Sequence, residues 1–136
     1  MKKYLFGILA IAMAVGFSAF TTKNVHKPVD MELYYFTGTH NYIPVTTPSD
    51  PNVLQSSELT DVAKWNQSAG YTFGAGDYLA AVEFDESAFT KQQGINEVSN
   101  YYFAQTPDDL PANGGTFTVV KNSINYTFTI YRKTTH

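Results

Sequence analysis

The 136-residue chain contains no cysteine. That excludes disulfides, thiolate metal sites, cysteine nucleophiles and thiol redox chemistry. It also excludes lipid anchoring through an N-terminal cysteine. Histidine is scarce. His26, His40 and His136 form no His-x-x-x-His pair, so zinc-ligand spacing is missing and all three read as solvent-exposed. A hydrolase triad would need His40 as its base, yet Ser49, Ser56 and Ser57 lie in no Gly-x-Ser-x-Gly elbow. Gly74-Ala75-Gly76-Asp77 lacks the third glycine and the strand-to-helix setting of a dinucleotide loop. The Asp-x-Asp-x-Asp-Gly calcium pattern is also missing. No cofactor is expected. Basic residues are few, nine against twelve acidic. They form no stripe, which disfavours nucleic acid and anionic membrane surfaces as partners.

Most informative is the N-terminus. Met1-Lys2-Lys3 precedes a run from Tyr4 to Phe20 without a charged residue. A basic start followed by a short apolar core and small residues is the pattern of a secretory signal peptide. Ala19-Phe20-Thr21, Ala14-Val15-Gly16 and Gly16-Phe17-Ser18 each place small side chains where a signal peptidase needs them. A retained anchor is the alternative, but the run is at the short edge of the ~20 apolar residues that span a bilayer. The expectation is a cleavable signal over residues 1–21, a flexible lead-in over 22–29 and one domain over 30–136. The protein would then be exported to the periplasm, the cell surface or the medium, with no stable membrane anchor after cleavage. Without Lys2 and Lys3, seven basic residues face twelve acidic, a net charge of −5 that serves solubility.

The remaining chain is long enough to bury a core unaided. Its abundance of Tyr, Phe, Thr, Asn and Gly favours strands and turns. Met31–Thr37 reads as a strand with large rings on both faces, so both faces are expected to be partly covered. Tyr78–Phe84 and Glu97–Gln105 also read as strands. Ser57–Gln67 has Leu59, Val62, Ala63 and Asn66 at helical spacing, and Asp50-Pro51 is a candidate helix start. Glu86–Gln93 is expected to form one or two helical turns stopped by Gly94. The clearest local signal is a hairpin of Gly115–Val120 and Ile124–Arg132 around Lys121-Asn122-Ser123, with Ile124, Tyr126, Phe128 and Ile130 on one face. The fold class is therefore mainly β or α+β: a small antiparallel β-rich single domain of four to six strands, with one or two short helices and a C-terminal β-hairpin. A sandwich and an α+β sheet are both open.

Met1-Lys2-Lys3, the junction Ser18-Ala19-Phe20-Thr21, and Tyr34-Tyr35-Phe36 followed by Gly38, Asp50-Pro51-Asn52 and Trp65-Asn66 together carry a resemblance. On them the chain resembles small exported proteins of unknown function from Bacteroidota-type bacteria. The resemblance implies an exported protein and no particular catalytic or binding residue.

Two sets of residues are candidates for function. Trp65, with Tyr71 and Tyr78, offers a sugar-stacking platform, although a lone tryptophan after a short helix also serves as a core plug. Glu83, Asp85 and Glu86 form the densest acidic group, and Glu83 and Asp85 would share a strand face. Such a pair can cut a glycosidic bond, or it can be solvated acids at a strand end. The favoured expectation is a non-enzymatic exported module, binding envelope polysaccharide or another exported protein. The alternative is a small secreted hydrolase acting on glycans through Glu83 and Asp85. A third expectation is that the C-terminal hairpin supplies an edge strand for assembly.

Overall fold

The computed structural model describes residues 28, 30–44, 49–104 and 110–136. The expected signal segment lies outside them, as does the lead-in apart from Pro28. Five strands form one antiparallel sheet: β1 (Met31–Phe36), β2 (Trp65–Asn66), β3 (Tyr78–Asp85), β4 (Gly115–Lys121) and β5 (Ile124–Lys133), in the order β2-β1-β3-β5-β4. The helices are α1 (Ser56–Leu59) and α2 (Lys91–Ala104), with a 3₁₀ turn at Val62–Lys64. The domain is thus the small antiparallel β-rich unit expected, in its α+β form.

Strand alternation puts one side chain in two on the helix side of the sheet. There Tyr34 and Phe36 of β1, Val82 and Phe84 of β3, and Phe128 and Ile130 of β5 are buried. Phe84 lies at the centre, stacked on Tyr34 at 5.3 Å and on Phe128 at 5.2 Å between ring centroids. Phe117 from β4 and Phe89 from the turn before α2 close on Phe128. Helix α2 lays Gly94, Ile95, Val98, Ser99 and Tyr102 onto this layer. A Cβ at Gly94 would collide with the Phe84 ring, so this glycine sets how close the helix comes to the sheet.

Helix α2 corrects two expectations: of the strand expected over Glu97–Gln105, Glu97–Ala104 is helix and Gln105 lies outside the described residues, and Gly94 does not stop a helix. The start is a capping box. Thr90 Oγ1 accepts from the Gln93 N–H at 3.3 Å, and Gln93 Oε1 accepts from the Thr90 N–H at 3.1 Å. Ile95, Val98 and Tyr102 then recur at helical spacing, and this stripe prevails over the strand preference of the rings. The expected helix over Ser57–Gln67 is interrupted. Asp61 leaves helical geometry at ψ 107° and its side chain caps the 3₁₀ turn through the Ala63 N–H at 3.0 Å. Trp65 is then extended and pairs with Phe36. Asp50-Pro51 begins a turn rather than a helix, with Asp50 Oδ1 accepting from the Asn52 N–H at 2.7 Å. The hairpin forms as expected. Its two-residue turn has Asn122 and Ser123 at φ 53° and 64°, the primed geometry whose twist suits adjoining strands.

Candidate binding face

The side of the sheet away from α2 carries Tyr35 of β1, Ala81 and Glu83 of β3, and Thr129, Tyr131 and Lys133 of β5. No helix covers it among the described residues. Instead the segment before β3 returns across one half of it. The Gly74 N–H donates to the Arg132 carbonyl at 2.9 Å. A Cβ at Gly76 would strike the Lys133 carbonyl, so the crossing chain can lie flat on β5 only with glycine there. Arg132 points to the other side, where its guanidinium donates to the carbonyls of Pro111 and Leu110 and fastens the loop before β4.

The returning segment assembles an aromatic cluster. Phe73 stacks on Tyr131 at 4.6 Å and 25°, and on Tyr35 at 5.9 Å and 19°. Tyr71 meets Tyr35 at 5.8 Å, and the Lys133 ammonium lies 4.2 Å from the Tyr71 ring centroid. All four rings are half-buried, and Phe73 stacks on both Tyr131 and Tyr35. Polar groups sit within the cluster. The Tyr131 hydroxyl donates to Glu83 at 2.9 Å. Burial raises the Tyr131 pKa, and the bond to Glu83 and that carboxylate's charge raise it further. Lys133 is only 8 % exposed, and burial lowers its pKa.

The residues singled out from sequence divide. Trp65 is 0 % exposed, packed on Phe36 at 4.9 Å, with its indole N–H donating to the Leu59 carbonyl at 3.0 Å. It is a core plug and offers no ring face to a ligand. Tyr71 belongs to the aromatic cluster. Tyr78 packs instead on Tyr42 and on His136. The structure therefore does not bring Trp65, Tyr71 and Tyr78 together. Of the residues that join Tyr71, Tyr35 and Tyr131 stood in the sequence only as rings on β1 and β5, and Phe73 as a ring in the glycine-rich segment before β3.

Glu83 and Asp85 do share a strand face, but they are differently engaged. Asp85 is 3 % exposed, and its Oδ1 accepts from the Ser87 N–H at 2.9 Å and the Ser87 hydroxyl at 2.6 Å. That carboxylate builds the turn into α2. His40 and Glu58 form a clamp between loops. Glu58 Oε2 accepts from the His40 N–H at 2.7 Å and lies 3.0 Å from the ring Nδ1, while Oε1 accepts from the Thr39 N–H at 3.3 Å. Burial works to raise the Glu58 pKa, but these bonds and the His40 charge outweigh it and hold the carboxyl below its usual range. Among the described residues, no three His, Asp or Glu side chains gather in a group that could hold a metal ion. No described helix is long and apolar enough to cross a membrane. The chain matches no protein-family model, no curated protein and no solved structure.

Proposed function

We propose that the chain is an exported, non-enzymatic binding module that takes a glycan chain, such as an envelope polysaccharide, on the open face of its sheet. The observation that carries this reading is the half-exposed cluster of Tyr35, Tyr71, Phe73 and Tyr131 with Glu83 and Lys133 set into it. A sugar ring presents one apolar C–H face and a rim of hydroxyls. An aromatic surface with fixed polar groups at its side answers both. The same face on a twisted sheet is extended, which suits a polymer better than an enclosed small molecule.

Export is supported by Met1-Lys2-Lys3 and the uncharged run from Tyr4 to Phe20, and places the module in the periplasm, at the cell surface or in the medium. The hydrolase alternative is disfavoured because the Asp85 carboxylate is committed to the Ser87 turn. Affinity electrophoresis in gels cast with envelope polysaccharide tests the reading. The native chain is expected to be retarded, and Tyr71→Ala to run freely while keeping its circular dichroism. Native mobility unchanged by every polysaccharide of the panel would reject the proposal.

A further inference from the structure

The two edges of the sheet are built differently. One edge is broken: β2 covers only Tyr35 and Phe36, and the remaining stretch of β1, Met31–Tyr34, carries the charge of Glu32, which guards an edge against a partner strand. The other is β4, seven residues, Gly115–Lys121. It pairs with β5 on its inner side, and no described strand pairs with its outer side. In a hairpin with a two-residue turn, the pair flanking the turn, here Lys121 and Ile124, exchanges both backbone bonds. Alternation then aims the N–H and C=O groups of Phe117, Val119 and Lys121 at β5, and those of Thr116, Thr118 and Val120 outward; the Gly115 N–H instead turns back to the Ala112 carbonyl at 2.7 Å.

Edge strands are ordinarily guarded by charge, proline or a bulge. β4 has none of these before its last residue. Gly115-Thr116-Phe117-Thr118-Val119-Val120 carries no charge and no proline, and its register with β5 is unbroken. Lys121 does not guard the edge, because its ammonium is turned inward onto the Ala88 carbonyl and the Phe89 ring. Val120 is 66 % exposed, a large aliphatic side chain beside backbone that no described strand pairs.

From these features we infer that β4 is the contact through which two copies of this chain pair, edge to edge and antiparallel, about a two-fold axis through Thr118. The strand is self-complementary in that register. Thr118 meets the partner's Thr118, and Thr116 meets the partner's Val120, so all the outward-pointing residues face one another and each such pair exchanges two backbone bonds. A shift of the axis to Phe117 or Val119 leaves one outward residue unmatched on each copy. Side chains agree as well. Phe117 faces the partner's Val119 on the helix side, and Thr–Thr and Thr–Val pairs lie on the open side, combinations that stabilise neighbouring strands. The sole charge, Lys121, falls opposite the partner's Gly115, so no like charges meet. The groove beside β4, about 290 Å³ and lined by Glu97, Asn100, Tyr101 and Val119, is then roofed by the second copy. The sheet becomes continuous across both domains, and their glycan faces lie on the same side.

Sedimentation velocity across a concentration series tests the pairing, read together with amide hydrogen exchange. The native chain is expected to show a reversible monomer–dimer equilibrium, with the Thr116, Thr118 and Val120 amides protected in the dimer. Thr118→Lys places two ammonium groups on the axis, and Thr118→Pro removes an outward N–H without touching the bonds to β5. Each should weaken the dimer at least ~10-fold while leaving the circular dichroism intact, and Asn66→Lys on the opposite edge should not. A native chain that is monomeric at the highest soluble concentration overturns the inference. So does a dimer that survives Thr118→Lys, or one whose Thr116, Thr118 and Val120 amides exchange freely.

Discussion

Gly94 and Glu58 show how single side chains hold this domain. Gly94 sits where helix and sheet touch through the Phe84 ring. Adding one methyl there forces the helix outward or the ring off its rotamer, and such overpacking costs typically 1–3 kcal/mol. Gly94→Ala is therefore expected to lower the melting temperature by roughly 4–8 °C for each kcal/mol lost, despite the better helix propensity of alanine. An unchanged melting temperature would mean that α2 does not approach the sheet this closely. Glu58 carries a pH signature. Its folded pKa is below the ordinary 4.5, so the folded state binds fewer protons than the unfolded one near that pH. Its contribution to stability is present above about 4.5 and is lost as the pH falls through the folded value. Urea unfolding should find Glu58→Gln less stable than the native chain at neutral pH, with the gap closing in acid. A gap that widened in acid would reverse the sign.

Elements of regular period were legible in the sequence, and elements of mixed signal were not. The hairpin announced itself because Ile124, Tyr126, Phe128 and Ile130 alternate without interruption and a polar turn separates two β-rich runs. Met31–Phe36 and Tyr78–Asp85 were readable for the same reason. Helix α2 was misread because aromatic and β-branched residues in Glu97–Ala104 favour strands locally, while the packing stripe and the Thr90–Gln93 capping box require a helix. Gly94 misled further, since its role is close approach rather than termination. In the hairpin turn, Ser123 adopts a left-handed conformation that glycine takes without cost. Ser123→Gly is expected to stabilise the domain by about 1 kcal/mol, because left-handed geometry penalises a non-glycine residue by roughly 1–2 kcal/mol and the freer unfolded glycine takes back about 0.4–1 kcal/mol of that. Thermal unfolding checks this, and a lower melting temperature would show that the turn is not of the primed type.

At the scale of the whole molecule, the helix side of the sheet is spent on the core and the open side is spent on an aromatic cluster that the core does not need. That division underlies the proposed function. It was only half visible in the sequence. Rings on both faces of β1 indicated two covered sides, but the contact of Tyr71 and Phe73 with Tyr35 and Tyr131 joins residues far apart in the chain, and no local pattern encodes it. Trp65 drew the expected platform toward itself because it is the single tryptophan, yet its neighbours Leu59 and Phe36 fix it inside. The measurement that bears most directly on the account is a nuclear magnetic resonance titration of the chain with soluble envelope-polysaccharide fragments, following the aromatic side-chain resonances. The account predicts shifts concentrated at Tyr35, Tyr71, Phe73 and Tyr131, with Trp65 unmoved. Shifts centred elsewhere, or none at saturating fragment, would contradict it.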